Sequence, residues 1–260
     1  MNIKMMNCRA ALDILVLTGV FSGVIPQLVF AQSTEDIRAV MRVEIEGESP
    51  MDMEYSLGQD RMRLDMPQEV SVISTTGASP SMVMVQHAEQ RYIEWGPQQL
   101  EMMRQMLQRV PGAGGAEPDI FDPTTMEFEE TGQTAQIGNW NAFEVLMRGA
   151  DGQEGTLWLS TEAEVGLFEL SLRAAEAASM LQNPMTGGGA GSQQFLQYRS
   201  LAEAQGLPDG RVVRIVSSPD DGGGTVTLMS AETGPLPDGT FAPPVGYEPM
   251  QMPSIPGFPD

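Results

Sequence analysis

Reactive side chains are scarce in this sequence. Its only histidine is His87, its only cysteine Cys8 and its only lysine Lys4. A serine or cysteine nucleophile needs a neighbouring base, most often histidine. No nucleophile-elbow sequence surrounds any serine, and His87, at the end of a strand pattern, reads as a surface residue. Two carboxylates could serve as an acid/base pair, as in glycosidases. With 35 Asp and Glu residues, however, no one pair stands out. No catalytic residue is assigned, and the chain is read as non-enzymatic and without a cofactor.

Metal chemistry has thin support. The run SPDDGGG at 218–224 lacks the alternating oxygen ligands of a calcium loop. Thioethers are soft ligands suited to Cu(I), and Met51-x-Met53, Met82-x-Met84 and Met250-x-Met252 have suitable alternation. The first two pairs fall where the strands place their apolar residues, so packing explains them without a metal. No metal site is assigned, and Cu(I) binding ranks third among the functional readings.

What remains is an oily face. MDMEYSLGQDRMRLDM at 51–66 sets Met51, Met53, Tyr55 and Leu57 on one side of a strand, then Met62, Leu64 and Met66 on the next. Methionine is flexible and polarizable, and adapts to varied apolar shapes. A hydrocarbon ligand needs no directional motif, since each buried methylene contributes roughly 0.8 kcal/mol.

The elements that hold this face are mostly strands. Met41, Val43 and Ile45 alternate with Arg42, Glu44 and Glu46, and VSVIS at 70–74, MVMVQH at 82–87 and RYIEW at 91–95 follow. Breakers separate them and nothing helical intervenes, which predicts an up-and-down antiparallel meander. For the hairpin at 51–66, apolar residues share a face only when paired residues sum to an odd number. A two-residue loop at Gly58-Gln59 satisfies this and pairs Tyr55 with Met62, Met53 with Leu64 and Glu54 with Arg63. A loop at Gln59-Asp60 would oppose Glu54 and Asp65, an unfavourable like-charge pair, so the glycine turn is expected.

Gly96-Pro97 opens a helix to about Val110, with Leu100, Met103, Leu107 and Val110 in one stripe. Strands resume at 126–130, 142–148 and 155–160. A second helix is expected from about Leu167 to Gln182, with Leu170, Ala174, Ala177 and Leu181 on one side, and a short one near 193–204. Two more strands follow, VVRIVSS and TVTLMSAE, and then a proline-rich end. Strands with helices inserted between the later ones read as α+β.

Bulk properties narrow the setting. Residues 1–31 form a secretory signal: Lys4 and Arg9 precede a short apolar run, and Val29-Phe30-Ala31 supplies a small-residue cleavage site. Removing 31 of 260 residues leaves 229, enough for one sizeable core. Residues 32–248 are read as one domain and 249–260 as a disordered proline-rich tail. Cys8 lies far upstream of the cleavage point, so the exported chain is neither a lipoprotein nor disulfide-bonded. The formal net charge is −21. An acidic chain without a basic stripe is a poor partner for nucleic acid or anionic membrane.

The ordered runs YSLGQDRMRLDM, SMVMVQHAEQRYIEW, IGNWNAFEVLMR, GTLWLS and TFAPPVGYE resemble an uncharacterised family of exported bacterial proteins related in fold to the periplasmic lipoprotein carriers LolA and LolB. The resemblance implies a curved, incomplete antiparallel β-barrel whose concave apolar face is covered by helices acting as a lid. It also implies that Met53, Tyr55, Met62, Leu64, Met82 and Met84 line the concavity, with Leu100, Met103 and Leu107 facing it from the lid. A periplasmic carrier or sensor of lipid-like ligands is the leading expectation, with a secreted location second. The alternative is an envelope module with a closed core that binds a protein partner through strand edges or its proline-rich tail.

Overall fold

The computed structural model describes residues 35–67, 69–108, 127–149, 152, 154–177, 206–218 and 223–250. The signal segment, the helix near 193–204 and the chain beyond Met250 lie outside them, as do the side chains of Met103 and Leu107.

Period-two alternation becomes one open twelve-stranded sheet. The first six strands are β1 (Ile37–Ile45), β2 (Met51–Leu57), β3 (Arg61–Met66), β4 (Val70–Thr75), β5 (Ser81–Gln86) and β6 (Arg91–Trp95). Helix α1 (Pro97–Gln108) follows, then β7 (Glu127–Ile137), β8 (Trp140–Arg148) and β9 (Glu154–Ser160). Helix α2 (Leu167–Ala177) precedes β10 (Arg211–Ser217), β11 (Gly224–Thr233) and the short β12 (Glu248–Pro249). The strand order is β12-β6-β5-β4-β3-β2-β1-β11-β10-β9-β8-β7. Two antiparallel meanders are therefore joined side by side where β1 pairs with β11. Only β12 runs parallel to its neighbour, β6. Pro249, read from the sequence as the start of the tail, thus belongs to the sheet.

The sheet curls. Although β10, β9 and β8 separate β7 from β11, the turn after β7 touches the β11 backbone. Gly138 sits there at φ +53°, and a Cβ on it would fall 2.5 Å from the Met229 carbonyl oxygen. Only glycine permits that approach. Met229 is the extra residue of a bulge opposite Val40/Met41, and a bulge bends its strand. On the concave side, buried residues of β1–β3 and β7–β11 merge with Leu167, Leu170, Ala174 and Ala177 of α2 into one core.

Helix α2 is held at both ends. The Gly166 amide donates to the Glu169 carboxylate at 3.1 Å, half of a capping box, and Arg211 pairs with the same carboxylate at 3.0 Å. Near its far end Arg173 donates to the Glu35 and Gly58 carbonyls, each at 3.3 Å. Ser74 Oγ donates to the Ala177 carbonyl at 2.9 Å. The expected stripe Leu170, Ala174, Ala177 is buried as read from the sequence; Leu181 lies outside the described residues.

The β2–β3 hairpin takes the register that the sequence reading rejected. Leu57 pairs with Met62, Tyr55 with Leu64 and Glu54 with Asp65, and the Gly58 amide donates to the Arg61 carbonyl at 2.8 Å. The loop is therefore Gln59-Asp60. The opposed carboxylates are tolerated because each has its own guanidinium: Arg38 pairs with Glu54 at 2.6 Å and Arg63 with Asp65 at 2.8 Å. Parity was right, since every pair still sums to an odd number. Cations on other positions neutralise the clash that the two carboxylates alone would create. Replacing Arg63, only 17 % exposed, by alanine should strip Asp65 of its partner and cost about 3 kcal/mol in a urea unfolding experiment. Arg42→Ala, at an exposed pair, should cost about 0.5 kcal/mol.

Candidate functional site

Registers across β1–β6 lay the apolar residues out in rows on the concave face. One row runs Ala39, Tyr55, Leu64, Val72, Met84, Ile93, and its neighbour runs Ile37, Leu57, Met62, Ser74, Met82, Trp95. Burial falls along both. Ala39, Tyr55 and Leu64 are 0 %, 5 % and 8 % exposed, whereas Val72, Met84 and Ile93 are only half-buried. In the second row Ile37, Leu57, Met62 and Ser74 are buried, and Met82 and Trp95 are half-buried. The change comes at β4, where Ser74 bonds Ala177, the last described residue of α2. Beyond it the apolar face of β4–β6 is only half-buried, a stretch called the trough below, and α1 folds back onto β5 and β6 with Leu100 buried.

The nine residues assigned from the sequence therefore divide. Tyr55, Met62 and Leu64 belong to the main core with α2, and half-buried Met53 packs against it. Met82 and Met84 lie in the trough. Met103 and Leu107 are on α1, their side chains outside the described residues. Val72, Ile93 and Trp95 share the trough and were missed; RYIEW carried a period-two signal for the last two.

Tyr55 is distinctive within the core. Its hydroxyl makes no hydrogen bond among the described residues, and burial pushes its pKa up to about 12. An unpartnered buried hydroxyl costs about 1–3 kcal/mol. Tyr55→Phe should accordingly hold or raise the melting temperature at pH 7. The folded-state pKa is raised, so Tyr55 favours folding below its unfolded pKa of about 10. That stability is lost as pH rises through the folded value of about 12. Melting curves between those two pH values should show a loss of about 3 kcal/mol in the parent that the phenylalanine variant lacks.

The opposite, convex face carries a second small core that the sequence reading did not foresee. Ile73, Val83 and Val85 pack with Tyr92, Phe241 and Tyr247, so the chain after β11 returns as a strap across the sheet. Beside it runs a polar network. Ser71 Oγ donates to the Asp65 carboxylate, Arg63 donates to Ser71 Oγ, and His87 links Ser71 Oγ at 2.6 Å to the Tyr247 hydroxyl at 3.0 Å. The serine proton is committed to Asp65, so Nε2 of His87 donates to Ser71, and Nδ1 shares a hydrogen bond with the Tyr247 hydroxyl. His87 is thus a half-buried structural link, not the surface residue expected. The trio is no hydrolytic relay either: Ser71 is fully buried, and the carboxylate sits on the serine, not on the imidazole. The strap is anchored further by Phe241, stacked over Arg61 with the guanidinium carbon 4.6 Å from the ring centroid. Phe241→Ala should cost about 3 kcal/mol in urea unfolding, and Tyr247→Phe about 1 kcal/mol.

A cleft of about 420 Å³ lies elsewhere, lined by Arg42, Pro50, Asp52, Asp65, Met66 and Pro67. Its charges are engaged, Arg42 with Asp52 and Asp65 with Arg63, which leaves none free for a ligand. Among the described residues no three of His, Cys, Asp and Glu converge on a metal-sized site. No described helix is long and apolar enough to cross a membrane.

No protein-family model matches the chain, and no curated protein sequence matches it. Among solved structures it is similar to that of PNGF-II, at 12 % identity and a TM-score of 0.31, over 83 % of this chain. The chain spans 30 % of the length of that one. It is also similar to a LolA superfamily protein from Nitrosomonas europaea, at 10 % identity and a TM-score of 0.26, over 82 % of this chain and 91 % of the other. Both likenesses are distant, so the site is read from its own residues.

Proposed function

We propose that this chain is a non-enzymatic binding protein of the periplasm, a carrier or sensor that holds lipid-like ligands in the concave trough of β4–β6. The observation that carries this reading is the fall in burial along two mainly apolar rows, interrupted only by Ser74. Rows buried in the main core on β1–β3 continue onto β4–β6 with only partial cover. In this reading α2 is a fixed wall, and α1, packed on β5 and β6, serves as the lid. Met82 and Met84 adapt to the chain that enters, because unbranched thioethers change rotamer at little cost. A ten-carbon chain would contribute about 8 kcal/mol before association and ordering costs, and that contribution needs no directional contact.

Saturating dodecanoate should raise the melting temperature by several degrees, as mass action requires of a ligand that binds only the folded state. Met84→Glu should abolish the shift while leaving the circular dichroism spectrum intact, because Met84 is only half-buried. An unchanged shift in that variant would place the ligand elsewhere.

A further inference from the structure

We infer that the ligand of this trough is an anionic single-chain amphiphile whose carboxylate is held by Arg91. The inference rests on the reading above that the trough takes hydrocarbon, and it adds the chemistry of the head group. The β5–β6 register sets Gln86 opposite Arg91, Met84 opposite Ile93 and Met82 opposite Trp95, all on the concave face. A guanidinium and an amide therefore close one end of the apolar stretch. From Arg91 to Trp95 the strand covers about 13 Å, the reach of a medium-length alkyl chain.

The arginine at that end is unlike the other arginines whose side chains are described. Arg38, Arg42, Arg61, Arg63, Arg148 and Arg211 pair with carboxylates. Arg173 holds two carbonyls and Arg214 donates to the Thr227 hydroxyl. Arg91 is exposed, and neither it nor Gln86 has a hydrogen-bond or ion-pair partner among the described residues. Glu248, in register with Arg91 on β12, forms no ion pair with it. In a chain of net charge −21, acids outnumber bases by more than two to one. An arginine left unpaired there, at the mouth of an apolar trough, has the planar fork that accepts a carboxylate through two parallel hydrogen bonds. Gln86 offers an amide donor beside it.

Isothermal titration of the full chain with dodecanoate and with 1-dodecanol, below their aggregation limits, tests this. The parent should bind dodecanoate about tenfold more tightly than the alcohol, the difference a charge-assisted hydrogen-bond pair makes. Arg91→Gln should erase that preference and leave the alcohol's affinity unchanged, and Arg91→Lys should restore part of it. Equal affinity of the parent for both ligands, or a preference that survives Arg91→Gln, would overturn the head-group assignment while leaving the hydrocarbon trough standing. Failure of both ligands to bind the parent would overturn the trough itself.

Discussion

The seating of α2 on the concave face, across β2, β3 and β10, is the contact on which the rest of the structure depends. Leu167, Leu170, Ala174 and Ala177 close the core against Leu57, Met62 and Leu64. The helix is fixed at its start by Glu169 and Arg211 and near its end by Arg173 and Ser74. The described part of α2 reaches Ser74, and the apolar surface is sealed on β1–β3 and half-covered on β4–β6.

The convex side complements that division. A sheet apolar on both faces must be covered on both, and the strap with Phe241 and Tyr247 covers β4–β6 from behind. This backing keeps the strands beneath the trough in place while their concave side stays partly open. The network of Arg63, Asp65, Ser71, His87 and Tyr247 ties the strap to the sheet through groups that are all satisfied, which is the condition for a buried polar network to stabilise a fold. The charged groups follow a similar rule, since arginines on β1 and β3 neutralise the carboxylates that the hairpin register forces together.

The sequence was legible wherever the information is local. Alternation in MRVEI, MDMEYSL and RMRLDM located β1, β2 and β3 and identified their core face, and the stripe Leu170, Ala174, Ala177 located α2. The pairing of β1 with β11 was not legible, because nothing near Ile37 records a partner nearly 200 residues away. The hairpin register was misjudged because a pairwise charge rule cannot see Arg38 on the neighbouring strand β1. One signal was present and unused: MVMV at 82–85 is apolar at every position, the mark of a strand buried on both faces. It pointed to the convex core, and the aromatic residues Phe241 and Tyr247 were the material available to cover it. That the Arg91 side chain has no partner among the described residues could not be read from sequence, since pairing depends on register.

The most direct test of the trough is a crystal structure of the chain with 12-bromododecanoate, in which bromine and carboxylate mark the two ends of one ligand. The account expects bromine density near Met82 and Trp95 and the carboxylate within hydrogen-bonding distance of Arg91. Bromine located under the strap on the convex face, or in the cleft beside Arg42 and Asp52, would contradict it.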